Sequence, residues 1–372
     1  MQTLSQARTP ARSLPPRPEF LRIDADEAAD LAACRESLRN GSRTFLAASL
    51  LLPRTVREAA CALYAFCRMA DDEVDGNANE GDAVGRLRER LESAYQGRPL
   101  PVACDRALAA VLARYAIPRT IPQALIEGFA WDAEGRRYET LADLEDYAAR
   151  VAGTVGAMMA LLMGVRDPES VARACDLGVA MQLSNIARDV GEDARMGRVY
   201  LPLSWLREAG IDPDAWLARP VHTEALASVV QRLLRVADAL YDRVGGGVAQ
   251  LPLACRPGIN AARLLYAEIG HEVHRRGLDS VSRRAVVPAS RKAWLLARAM
   301  VGLFPAQTGR DISPMAATKF LVDAVSETTM QHPQSTMPEV SFRGLNGRVL
   351  WVIDLFERLE RRDQMLGSAS AN

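Results

Sequence analysis

The chain has 372 residues, 49% of them hydrophobic, 25% charged and 6% aromatic, and its 46 basic residues are balanced by 46 acidic ones. This composition excludes a disordered, fibrous or membrane-embedded chain, and a net charge of zero leaves no general field that would draw it onto nucleic acid. Only Lys292 and Lys319 are lysines, so 44 basic residues are arginines; either the bias is compositional or several arginines grip a forked anion.

Residues 1–18 carry Arg8, Arg12 and Arg17 among Ser, Thr and Pro without an apolar run, and read as a flexible arm, not a secretory signal. Beyond the arm, apolar residues recur at helical spacing. The pattern predicts helices over 27–39, 55–75, 82–95, 103–115, 122–131, 141–163, 168–196, 224–248, 258–276, 289–303, 314–326 and 342–361. Pro53, Pro118, Gly164, Pro168, Gly210 and Pro288 punctuate them, and Gly245–Gly247 reads as a helix break. Connectors are short apart from 197–223 and 327–341, and neither strand alternation nor a fixed repeat is visible. The expectation is one all-α domain over 19–363, with helices packed around a centre, and a polar tail over 364–372. The six cysteines show neither CxxC nor zinc spacing and read as buried thiols of a reducing compartment. The longest uncharged stretch, Val151–Val165, has 15 residues, short of the roughly 20 that span a bilayer. No membrane anchor is expected; a cytoplasmic location follows, with peripheral bilayer contact left open.

Two acidic clusters stand out. In the first, Tyr64, Arg68, Asp71 and Asp75 fall within a narrow arc of one helix face, followed by Gly76 as a natural stop. Carboxylates crowded at the negative end of a helix dipole repel one another, and a divalent cation would offset both effects. The alternatives are a solvated helix end and a calcium loop. The loop is disfavoured because the helical pattern runs straight through it and Asp82 would have to replace the usual bidentate Glu.

In the second cluster, Asn185, Asp189 and Asp193 are spaced four and four, with Gln182 one turn earlier, Arg188 beside the face and Arg198 after the helix. Three oxygen donors in line can hold one hard cation and leave positions for phosphate and water. Two such faces across a cavity would form a multi-Mg²⁺ site, with arginines completing a cage for diphosphate. Between the clusters, Gly153, Gly156, Ala157, Ala160 and Gly164 form a smooth stripe. It serves either close helix packing or a wall cleared for a long apolar chain. His271 and His274 are three apart and do not make a zinc motif, and no nucleotide fingerprint is present.

These segments together resemble the squalene/phytoene synthase family over roughly residues 30–325. The resemblance rests on Ser42-Arg43-Thr44-Phe45, on Tyr64 through Arg68 leading into Asp71-Asp72-x-x-Asp75, on Tyr147 through Gly156, and above all on Gln182 through Pro202. It implies an isoprenoid-synthase helical bundle and head-to-head joining of two allylic diphosphates. Asp71, Asp75, Asn185, Asp189 and Asp193 would hold Mg²⁺, with Mn²⁺ as a substitute. Ser42, Arg43, Arg68, Gln182, Arg188 and Arg198 would hold diphosphate or support the site, and Tyr64, Tyr147, Tyr200 and Tyr266 would line the reacting region. A late diphosphate arginine could be Arg283 or Arg284. Gly41 stands where some relatives carry His, so that contact would be absent.

Within the family the arm, the run Val190–Asp193 and the segment Ser313–Thr318 look most like those of bacterial phytoene synthases. That implies two geranylgeranyl diphosphates joined through a cyclopropyl diphosphate to phytoene, with no NADPH. The alternatives are a squalene or dehydrosqualene synthase using farnesyl diphosphate, a class I terpene cyclase, and a non-catalytic scaffold of the same fold.

Overall fold

The computed structural model describes residues 25–76, 82–301 and 313–331, and for Ala25, Arg43, Asp75, Val301 and Gln331 the backbone alone. The predicted arm, tail and helix 342–361 lie outside these residues. The described helices are α1 (Ala25–Gly41), α2 (Arg43–Leu50), α3 (Arg54–Gly76), α4 (Ala83–Tyr95), α5 (Ala103–Arg114), α6 (Thr120–Ala133), α7 (Leu141–Ala148), α8 (Thr154–Leu162), α9 (Pro168–Arg195), α10 (Leu203–Glu208), α11 (Pro213–Ala218), α12 (Glu224–Val248), α13 (Arg256–Arg275), α14 (Ala289–Val301) and α15 (Lys319–Gln331). No strand occurs among the described residues.

α9 is the axis of the architecture. Asp167 caps its first turn by accepting from the Ser170 amide, and Pro168 occupies the first turn, where its missing N–H costs nothing. At the other end Gly197 takes φ +75°, and the Arg198 amide donates back to the Asp193 carbonyl at 2.9 Å, closing the helix. Burial on nearly all sides follows from its neighbours. Val171, Ala172 and Cys175 join one apolar core with α1, α3–α6 and α8, and Leu177 to Ala194 join a second with α7, α10, α11 and α12. A third, smaller core joins α2, α13 and α14.

The small-residue stripe serves helix packing at Gly156, a residue that also lines the cavity described below. A Cβ on Gly156 would stand 2.1 Å from the Ala174 carbonyl oxygen, and one on Gly178 would stand 2.1 Å from that of Ala152, so the two backbones can touch only through glycine. The predicted helix 141–163 forms as α7 and α8 joined by a π turn over Ala149–Gly153. Such a turn inserts one residue and re-aims the side chains beside it.

Four expectations are corrected. Residues 43–50 are helical, with Ser42 capping through the Phe45 amide, and the connector 197–223 contains α10 and α11. α15 runs on to Gln331 where a loop was expected from 327. Gly245–Gly247 do not break α12, because Gly247 makes room for the stem of Arg173. α3 runs unbroken through Gly76, which removes the calcium-loop alternative. The six cysteines are free thiols, four buried and Cys67 and Cys104 partly so. His271 and His274 sit exposed on α13.

Candidate active site

α2, α3, the π turn, α8, α9, the end of α12 and α13 enclose a cavity with about 1350 Å³ of unfilled space, its open end included. Its walls are mostly apolar, with Phe45, Leu63, Val155, Met159, Met181 and Ile259 among them. Ser42, Tyr64, Gln182, Asn185 and Tyr266 gather at one end of it, and Ser170 and Arg173 line the other. Tyr266 is hydrogen-bonded to Ser42, and burial raises its phenol above the ordinary value against the pull of the Arg188 charge. Gly41 lets Tyr64 lie close: a Cβ there would stand 2.1 Å from the phenol oxygen, so a larger residue would have to shift that ring.

At the rim, α9 presents Asn185, Asp189 and Asp193 on successive turns. The Asn185 Oδ1 is buried and has no hydrogen-bond partner among the described residues. A buried acceptor left unpaired is costly, and an oxygen donor aimed at a cation is a good reason to keep one. Asp189 is held from both sides. Arg188 Nε donates to its Oδ1 at 2.7 Å, and Arg284 donates Nε to Oδ1 at 2.8 Å and an η nitrogen to Oδ2 at 3.1 Å. Arg284 also pairs with Glu192 at 3.3 Å. It reaches α9 because the loop before α14 docks on Gly191, whose amide donates to the Ser280 carbonyl at 2.9 Å and whose missing Cβ would stand 2.4 Å from the Val281 oxygen. Burial, then the charges of Asp189 and Glu192, push the Asp193 carboxyl up to about 7. On α3, Arg68 spans Asp71 at 3.4 Å and Asp72 at 2.6 Å.

The sequence pattern missed Asp132 on α6. Its Oδ2 accepts from Tyr147 and its Oδ1 from Tyr200, both at 2.8 Å. The two phenols and Tyr138 form one ring cluster, with centroids 5.1 to 6.2 Å apart. Tyr147 and Tyr200 therefore face Asp132 and do not appear on the cavity wall. Burial pushes the Asp132 carboxyl up to about 6, although the Tyr200 and Tyr147 hydrogen bonds and the Arg198 charge favour its ionised form. Asp71 raises Asp132 and Asp132 raises Asp193, so α3, α6 and α9 share one electrostatic field.

Among the described residues no three His, Cys, Asp or Glu side chains form a ready cation site. The donors nonetheless suit a hard cation: an orphaned carboxamide oxygen, and a carboxyl driven toward neutrality by burial and then by acidic neighbours, whose repulsion a cation would relieve.

A family model described as Squalene/phytoene synthase matches residues 38–291. The chain belongs to the squalene/phytoene synthase family. It is 51% identical over 314 residues to the phytoene synthase of Rhodobacter capsulatus, a match covering 82% of this chain and 92% of that one. It is likewise 51% identical over 323 residues to the phytoene synthase of Cereibacter sphaeroides, covering 83% and 91%. Among solved structures, a dehydrosqualene synthase in complex with ligand aligns with TM-score 0.68 at 30% identity, over 75% of this chain and 98% of that one. A squalene synthase from Alicyclobacillus acidocaldarius aligns with TM-score 0.62 at 28% identity, over 68% and 97%. The isoprenoid-synthase helical bundle expected from the sequence is thus the fold of this squalene/phytoene synthase family member.

Proposed function

We propose that this enzyme joins two geranylgeranyl diphosphates head to head, through a cyclopropyl diphosphate, to phytoene, releasing both diphosphates and two protons, one in each half of the reaction. The observation that carries this reading is an apolar cavity along α9 whose rim sets the unpaired Asn185 oxygen beside Asp189 and its two arginines. The two 51% identical relatives named phytoene synthase favour it over a farnesyl-based product.

Asp71, Asp75, Asn185, Asp189 and Asp193 would hold Mg²⁺, which when bound supplies a Lewis acid for the departing diphosphate. Arg188 and Arg284 stand where they can transfer their hydrogen bonds from Asp189 to diphosphate oxygens, and Arg68 and Arg198 add positive charge nearby. Of the two candidates for the late arginine, Arg284 is the one in contact with α9. Phe45, Val155, Met159 and Ile259 exclude water from the allylic cation. Among the described residues no helix is long and apolar enough to cross a membrane. A C40 hydrocarbon product still needs an apolar destination, and peripheral bilayer contact at release is part of the proposal.

The test is incubation with labelled C15 and C20 diphosphates, with and without Mg²⁺ and NADPH. Phytoene from the C20 substrate, dependent on Mg²⁺ and indifferent to NADPH, is expected. A C30 product favoured over C40, or a cyclic product from one substrate, would overturn the assignment.

A further inference from the structure

The end of the cavity opposite the rim carries a charge that the reaction does not use. Arg173 lines it and is 4% exposed. Its stem crosses α12 at Gly247, where a Cβ would stand 2.6 Å from Arg173 Cβ and 2.7 Å from Cγ. Its Nε lies 3.1 Å from the Oδ2 of Asp176, which is fully buried, and an η nitrogen donates to the Ser313 carbonyl at 3.4 Å. Arg243 holds the same Asp176 oxygen at 3.1 Å and the same carbonyl at 3.0 Å. The cluster is incompletely satisfied, since Arg173 Nε and Asp176 Oδ1 have no hydrogen-bond partner among the described residues. Buried ion pairs seldom repay their desolvation, so stability alone is a poor reason to keep one against an apolar cavity.

Its position supplies another reason. Arg173 and Asn185 both line the cavity and lie 12 residues apart on α9, which is about 18 Å at a helical rise of 1.5 Å per residue. An extended chain advances about 1.2 Å per bond, so a C20 prenyl main chain of roughly 15 bonds spans about 18 Å. On the same scale a C15 chain spans about 13 Å and a C25 chain about 23 Å. With C1 level with Asn185 and the diphosphate lying outward of it, one turn on beside Asp189, the fourth isoprene unit reaches Arg173, and a fifth would have to displace a buried guanidinium.

We infer that Arg173, pinned by Asp176 and seated across Gly247, is the length stop that sets the substrate of this cavity at C20. The inference rests on the proposed function, deepening it from an allylic diphosphate to a chain of defined length. Arg173 takes no part in the chemistry; it determines specificity.

Two variants test it in opposite directions. Arg173→Met keeps the stem and removes the charged head. Gly247→Ala leaves the head and pushes the stem toward the cavity. Each is assayed with competing labelled C15, C20 and C25 allylic diphosphates and Mg²⁺, and the readout is the ratio of kcat/KM values, which a general loss of folded enzyme does not move. The wild-type enzyme is expected to discriminate against C25. Arg173→Met should raise the C25-to-C20 ratio at least tenfold, chiefly through KM, and Gly247→Ala should raise the C15-to-C20 ratio severalfold. If Arg173→Met does not fold, the Gly247→Ala ratio decides alone. Wild-type turnover with ratios unmoved in the folded variants overturns the length stop and leaves the proposed function standing. No wild-type turnover of any of the three substrates overturns the proposed function, and this inference with it.

Discussion

Asp132→Asn is the perturbation whose consequence can be worked furthest. The wild-type carboxyl titrates at about 6 in the folded chain, against 3.8 for an ordinary aspartate. A carboxyl raised on folding binds more protons in the native than in the unfolded state between those values. Its ionisation therefore removes stability as pH rises from about 4 through 6, and the loss is complete above 6. A shift of about 2 units corresponds to roughly 3 kcal/mol. Asparagine carries no charge to desolvate, so the stability of Asp132→Asn relative to wild type should improve by about 3 kcal/mol between pH 4 and pH 7.5. Part of that gain is offset at every pH, because one amide oxygen replaces two carboxylate acceptors for Tyr147 and Tyr200. The offset shifts the curve without changing its slope. The assay is urea denaturation of both proteins at several pH values in this window, in EDTA so that no cation engages the neighbouring acids. Asp193 is raised partly by Asp132, so removing that charge adds to the effect with the same sign. A stability difference that does not vary with pH would refute the reasoning.

Asp189→Ala should abolish phytoene formation while far-UV circular dichroism stays helical. Arg188, only 17% exposed, then loses its partner at a cost of about 3 kcal/mol, the low end for a buried pair because it keeps some access to water. Near-normal turnover would remove Asp189 from the proposed metal set. Arg284→Ala should raise KM for the diphosphate substrate more than it lowers kcat, with little loss of stability because the side chain is half exposed; steady-state kinetics check the split. Gly178→Ala should destabilise by about 2–3 kcal/mol in urea, since the new methyl falls on a backbone carbonyl that cannot rotate away.

How much of this was legible in the sequence depended on the range of the contact. Gln182, Asn185, Asp189 and Asp193 share one helix, so their spacing alone put them on one face. Local capping could have revealed α2, because Ser42 stands three residues before the amide it caps. α10 and α11 are six residues each, below the length at which apolar periodicity registers. Asp132 was invisible for a different reason. Its partners lie 15 and 68 residues away, and nothing in the local run distinguishes it from a surface acid. The glycines misled in the same way. Gly247 looks like a helix breaker until Arg173, on another helix, is seen to need the space, and the sequence does not show that Gly156, on the cavity wall, also lies against the Ala174 backbone.

Arginine stands opposite aspartate at both ends of the cavity, and exposure decides what each pairing can do. At the rim Arg284 is 51% exposed and Asp189 15%, so a cation and a diphosphate arriving from solvent can take over both partners at little cost. At the far end the Arg173 side chain is 5% and that of Asp176 0% exposed, so opening that pair would strand a charge in an apolar surrounding. One pair is therefore exchangeable and the other fixed. In the proposed reaction this asymmetry would orient a substrate with its charged end at the exchangeable pair and its hydrocarbon end against the fixed one. The overall neutrality of the chain conceals that arrangement, since the charges that matter cancel locally, and what separates binding site from barrier is their access to water.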